Sequence, residues 1–114
     1  METDLIEACC PPVLVEPLSA SGAGELAEGF KVLADPVRLR LLSIIATAPD
    51  GEVCACELTE PVDRSQPTVS HHLSVLVDAG MLVREQRGRW AWFRAVPERI
   101  GVLRAALEFA DSGT

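Results

Sequence analysis

Three observations in this chain predict an α+β fold that is mostly helical. Apolar residues recur at helical spacing through much of its length, as at Leu26, Phe30 and Leu33. Two stretches in the second half alternate with period two around an Arg87-Gly88 turn, the pattern of a β-hairpin. The 114 residues are 48% hydrophobic, which suits one globular core rather than several or none.

The elements follow in order. Residues 1–22 read as an arm: Pro11, Pro12 and Pro17 break regular structure, and Ser19 to Gly22 form a linker or helix entry. A domain over 23–112 begins with a helix at about 23–34. Asp35-Pro36 is a start signal, a carboxylate cap followed by proline in the first turn. The helix it opens, 36–47, is expected to bury Val37, Leu41, Ile44 and Ile45, with Arg38 and Arg40 away from that stripe. Pro49-Asp50-Gly51 ends it, and a short helix over about 54–60 is expected to stop at Pro61.

The next helix, 66–78, takes Ser65 or Gln66 as its cap, carries Pro67 in its first turn, and ends before Gly80. Its periodicity sends Val69, Leu73 and Leu76 to the core and Ser70, His71, Ser74 and Asp78 outward, with Thr68 on the flank. His72 falls beside the core stripe, where packing and a hydrogen bond are its expected roles. Hairpin strands at 82–86 and 89–96 follow. Trp90, Trp92 and Arg94 share one face, and Ala91, Phe93 and Ala95 the other. Pro97 opens a last helix at about 98–110, striped by Ile100, Leu103, Leu107 and Ala110. So apolar a terminal helix in so small a domain points to association with a second copy.

No apolar run approaches the roughly 18 residues needed to span a bilayer. The acidic N-terminus, METDLIEACCPPVLVEP, lacks the basic flank and apolar stretch of an export signal. A cytoplasmic location is therefore expected, where thiols stay reduced. That makes Cys9, Cys10, Cys54 and Cys56 ligands or sensors rather than structural bridges. The net charge of −7 argues against general nucleic-acid binding, but it is unevenly spread. Residues 1–30 hold six acids and no Lys or Arg, whereas 61–96 hold five arginines against three acids. A local positive surface is enough to engage phosphates.

Helix, helix, short helix, turn, helix, hairpin is the order of a winged helix-turn-helix. In that architecture the second helix presents its N-terminal side chains to base edges of double-stranded DNA. Here the turn is Val62-Asp63-Arg64, and the candidate readers are Ser65, Gln66, Thr68, Ser70 and His71, with Arg64 beside them. Glutamine can pair bidentately with adenine, and the helix N-terminus favours phosphate. Arg87 and Arg89, expected at the hairpin tip, are the candidate wing contacts.

The segments FKVLADPVRLRLLSIIA, ELTEPVDRSQPTVSHHLSVLVDAGMLVREQRGRWAWFRAV and the apolar last helix resemble the ArsR/SmtB family of metalloid- and metal-responsive repressors, over about residues 24–110. The resemblance implies a homodimer joined through its first and last helices. It also implies repression of its own operon, relieved by an inducer. The C-terminal helix has neither the histidine of the family's zinc-sensing members nor a cysteine. EVCACEL, 52–58, is similar to the thiol motif of the arsenic- and cadmium/lead-responsive members. Soft ions prefer thiolates, and a helix N-terminus lends thiolate character to Cys54 and Cys56. Residues two apart diverge by about 200° on a regular helix, so joint chelation requires an irregular first turn.

Where arsenical members often carry a third cysteine, this chain has Thr59. Family members with cysteines in an N-terminal arm imply that Cys9 and Cys10 supply what is missing, in a site shared between subunits. The expectation is a repressor that binds operator DNA as the metal-free dimer and releases it when As(III) or Sb(III) joins the thiolates of Cys9, Cys10, Cys54 and Cys56. The alternatives are a repressor of the same family responsive to Cd(II) or Pb(II), and a thiol-redox sensor. Both histidines lie on one helix and no acid–base–nucleophile constellation is visible, so an enzyme is not expected.

Overall fold

Capping side chains set where three of the described helices begin. The computed structural model describes residues 13–108; Cys9, Cys10 and Ala110 lie outside them. Helix α1, Ala20–Leu33, opens where the Ser19 Oγ accepts the Gly22 N–H at 3.0 Å. Helix α2, Pro36–Ala46, is capped by Asp35, whose Oδ1 accepts the N–H groups of Val37 and Arg38 at 2.9 and 3.1 Å. Proline at its first position forfeits only an N–H that has no partner within the helix.

The described residues divide into two compact units, one of Val32–Val96 and one drawn from the stretches that flank it. In the larger unit α2 buries Leu41, Leu42 and Ile45, while Val37 and Ile44 are half-buried. The buried stripe is thus rotated toward Leu42 from its expected position, because α2 meets both the sheet and the helix at 66–78. Arg38, expected off the stripe, is mostly covered. Its Nε donates to the Val32 carbonyl at 2.6 Å, and its Nη1 lies 3.2 Å from His72 Nδ1. A guanidinium can only donate, so Nδ1 of His72 is the acceptor. This is the hydrogen bond expected of His72.

The segment after α2 departs from the sequence expectation. Instead of one helix over 54–60, the chain forms strand β1, Val53–Cys54, a three-residue 3-10 turn, Ala55–Glu57, and a short helix α3, Thr59–Val62. Pro61 lies inside α3 rather than ending it, tolerated because first-turn N–H groups lack intrahelical partners. Asp63, in the left-handed region at φ 55°, then turns the chain. Helix α4, Gln66–Asp78, buries Val69, Leu73 and Leu76 and gives way to Gly80 at φ 81°.

Strands β2, Leu82–Arg87, and β3, Trp90–Ala95, form an antiparallel hairpin in which Arg87 pairs with Trp90. The turn is therefore Gly88-Arg89, one residue later than expected. Gly88 at φ 63° supplies the left-handed first position that a two-residue hairpin loop favours. A third strand was not foreseen. β1 pairs antiparallel with the other edge of β3, Val53 opposite Phe93 and Cys54 opposite Trp92, giving the sheet order β1-β3-β2.

In the flanking unit α5, Pro97–Ala106, buries Val102, Leu103 and Ala106. Gly29 of α1 is a close-approach position, since a Cβ there would sit 2.8 Å from Leu103 Cδ2. The helix closes sooner than its sequence stripe implied. Leu107 falls in the turn that follows and is 51% exposed, while Ile100 is half-buried. The Val13 N–H donates to the Ala106 carbonyl at 2.7 Å, tying the start of the described chain to the end of α5. Among the described residues no helix is long and apolar enough to cross a membrane.

The cap at Asp35 gives a pH-dependent prediction. The Arg38 N–H first of all, helped by His72, Val37 and the Arg38 charge, holds its carboxyl below the usual carboxylate range despite partial burial. A depressed folded-state value means the stabilisation is present above the ordinary carboxylate range and lost as pH falls through the lowered value. Asp35→Ala should cost about 1 kcal/mol at pH 7. Urea denaturation should show the gap to wild type closing on acidification below that range; a gap that does not depend on pH would refute the carboxylate's role.

Candidate functional site

The helix-turn-helix is built by α3, the Asp63 turn and α4. At the turn the Arg64 guanidinium folds back onto the carbonyls of Val62 and Asp63, at 3.3 and 3.0 Å. Ser65 caps α4: its Oγ accepts the Thr68 N–H at 3.4 Å and donates to Thr68 Oγ1 at 3.1 Å. Two candidate readers, Ser65 and Thr68, are thereby engaged with each other at the helix start. Gln66 and Ser70 stand one turn apart and are exposed, and His71 is exposed beside them, its ring 5.6 Å from that of His72.

Gln66 and Ser70 form one wall of an open groove of about 460 Å³. The opposite wall is the hairpin, through Arg84, Gln86, Arg89 and Trp90; Phe93 and, from α4, Asp78 also line the groove. The groove thus sets a polar helix face against two arginines. Arg84, Ser74 and Trp90 were not picked out as site residues from the sequence. The signal for Arg84 was present in strand alternation, since it pairs across from Phe93, on the face that turns toward α4. A slip of the turn by one residue leaves that face unchanged: a turn at Arg87-Gly88 sets Arg84 opposite Ala91, the observed turn sets it opposite Phe93, and both partners share one face.

The same slip misplaced Arg87. It is the last paired residue of β2 rather than a tip residue, and its side chain lies among the outer-face groups. Its two Nη atoms grip the Glu52 carboxylate at 3.0 and 2.7 Å, and Nη2 also reaches Glu85 Oε1 at 2.7 Å. Its guanidinium carbon lies 4.8 Å from the Trp92 ring centroid. Arg89, in the turn itself, is the arginine that occupies the hairpin tip.

Cys54 and Cys56 converge. Their sulfurs are 2.6 Å apart, and the Cys54 sulfur also accepts the Cys56 N–H at 3.4 Å. The irregular turn that joint chelation required is supplied by the change from extended Cys54, φ −73° and ψ 140°, to the 3-10 turn. Cys54 is buried and Cys56 exposed, both as free thiols. Among the described residues no group of three or more Cys, His, Asp or Glu side chains is arranged to hold a metal ion. The described chain therefore offers a soft ion two sulfurs, one sheltered and one open.

The expected gain of thiolate character does not hold for Cys56. Its thiol is pushed above the ordinary range, chiefly by its hydrogen bond to the Cys54 sulfur, then by partial burial and neighbouring negative charge. A three-residue 3-10 turn has little dipole to oppose this. Alkylation of Cys56 by iodoacetamide at pH 8 should run several-fold slower than for a free cysteine, with its pH profile displaced upward. Cys54→Ala should bring the profile back down. Peptide mass spectrometry reads both, and an ordinary profile in wild type would show that the sulfur pair is not held.

Comparison with known proteins places this architecture. Residues 35–83 match the family described as bacterial regulatory protein, arsR family. The arsenic resistance transcriptional regulator ArsR1 of Pseudomonas putida is 45% identical over 69 residues, covering 60% of this chain and 52% of the relative, so the chain spans about half that protein's length. The arsenical resistance operon repressor of Bacillus subtilis is 34% identical over 65% of this chain and 69% of its own length. The crystal structure of the AntR antimony-specific transcriptional repressor superposes with a TM-score of 0.66 at 32% identity, covering 78% of this chain and 79% of that one. The family match over residues 35–83, which reaches into β2, together with the likeness to the Bacillus repressor over 69% of that protein's length, makes this chain a member of the ArsR family of regulatory proteins.

Proposed function

We propose that this protein is a transcriptional repressor that binds double-stranded operator DNA as a homodimer and lets go when trivalent arsenic or antimony joins its thiols. The observation that carries the reading is the convergence of the Cys54 and Cys56 sulfurs, 2.6 Å apart, in the segment that leads directly into the helix-turn-helix. The names of the Pseudomonas and Bacillus relatives, and of the antimony-specific repressor, support an inducer of this class.

In the proposed complex α4 lies in the major groove. Gln66, Ser70 and His71 face base edges, Ser65 and Thr68 hold the helix start toward phosphate, and Arg64, Arg84 and Arg89 meet the backbone. Arg87 contributes from the wing while it remains paired with Glu52. Apolar Val13, Leu14, Val15 and Leu107, all exposed in the flanking unit, provide surface for a second copy. The third sulfur that a trigonal ion requires comes, in this proposal, from Cys9 or Cys10 of the arm. Arsenous acid is neutral and condenses with thiols by releasing water, so it needs no thiolate formed beforehand.

Two measurements test the reading. Arg89→Ala should weaken binding to every duplex alike and lower the slope of log affinity against log salt by about 1; an unchanged slope would remove Arg89 from the interface. In gel shifts under reducing conditions, arsenite should release the wild-type protein from operator DNA. The Cys54→Ser/Cys56→Ser protein should stay bound; normal release by that variant would rule the thiol pair out.

A further inference from the structure

The outer face of the three-stranded sheet carries an arrangement around Glu52 and Cys54 that binding to DNA does not explain. Side chains on one face of a sheet follow from alternation and register. Cys54 pairs with Trp92, and Trp92 with Glu85 on its other side; Arg87 is two residues beyond Glu85 on the same face. Arg87 closes this row. It holds the carboxylate of Glu52, two residues before Cys54, through both terminal nitrogens, and it lies over the ring of Trp92, directly across the ladder from Cys54. The carboxylate two residues before the sheltered thiol and the ring across the sheet from it are therefore both held by a single wing side chain.

We infer that Glu52 is a positioning residue that couples the thiol pair to the wing: its bidentate ion pair with Arg87 carries a displacement of the Cys54–Cys56 segment into the hairpin that flanks the DNA groove. This rests on the proposed function and names the regulation of that same site.

A bidentate guanidinium–carboxylate pair fixes orientation as well as distance, which a single contact does not. β1 is only two residues long, so its backbone ladder alone ties it weakly to β3, and Glu52 extends the attachment beyond it. The hairpin is also the wall of the groove opposite α4. A shift of β1 that moves β2 and β3 changes the separation between Arg89 and the helix face bearing Gln66 and Ser70. Glu85 touches the same nitrogen of Arg87 but belongs to β2 itself, so it neutralises charge without linking the thiol segment to anything.

That difference supplies the test. The readout is the coupling ratio, the operator Kd with saturating sodium arsenite divided by the Kd without it, on a duplex selected by the wild-type protein from a random library. Reciprocal linkage makes this ratio a property of communication between sites rather than of either site alone. Glu52→Gln keeps the size of the side chain and removes its charge. It should bind arsenite at wild-type stoichiometry and bind DNA without arsenite about as tightly as wild type, but its coupling ratio should fall about tenfold or more. Glu85→Gln should leave the ratio unchanged.

A wild-type ratio in Glu52→Gln, or an equal loss in Glu85→Gln, overturns the inference while leaving the proposed function intact. Absence of arsenite-driven release in wild type overturns both. Should Glu52→Gln fail to bind DNA at all, Arg87→Lys decides instead, since lysine keeps the charge but not the two-pronged grip. A reduced ratio there supports the coupling, and an unreduced one overturns it.

Discussion

The pairing of β1 with β3 is the constraint on which the rest of this structure depends. Two residues, Val53 and Cys54, lie against Phe93 and Trp92, and several features follow from that short ladder. It places Val53 on the same sheet face as the buried Phe93, inside the larger core. It shelters Cys54 behind Trp92 while the 3-10 turn that follows leaves Cys56 open. It also makes the thiol segment an edge of the wing, so the two halves of the proposed switch are parts of one sheet rather than separate modules.

A second network holds the other wall of the groove. Arg38 joins the Val32 carbonyl, the Asp35 cap and His72 of α4 through one guanidinium. The Asp35 contact is long, 3.9 Å, and its larger contribution is the backbone cap. The fork geometry of arginine lets a single residue satisfy groups on two helices and the stretch before them. In consequence α4 is held on its inner side by Leu73, Leu76 and His72, and its outer side is left to Gln66, Ser70 and His71. Two rigid supports, one under the helix and one behind the hairpin, define the groove between them.

Charge follows the same division. The chain carries a net −7, yet Arg84 and Arg89 stand in the groove wall. The carboxylates nearest the wing, Glu52 and Glu85, lie on the opposite sheet face and are occupied by Arg87. The groove is lined by both arginines and one carboxylate, Asp78 of α4, and because salt screens charges over about 10 Å this local balance matters more than the total.

What the sequence determined by itself was whatever depends on neighbours along the chain. Asp35-Pro36, Ser65 with Pro67, and Gly80 mark helix ends because caps and breakers act within a few residues, and the periodicity of Val69, Leu73 and Leu76 sorts α4 into inner and outer faces. The ordered motifs around them sufficed for the family and its fold. The tertiary structure decided what depends on pairing between distant segments. EVCACEL has too few residues to betray a strand, so β1 exists only because β3 offers it an edge, and Pro61 sits in a helix too short to show a periodicity. A hairpin turn displaced by one residue moved Arg87 from the loop into the paired end of β2 and left Arg89 at the tip. The convergence of Cys54 and Cys56 belongs to this second class as well: their spacing on a helix would part them, and only the strand-to-turn junction created by the sheet brings the two sulfurs together.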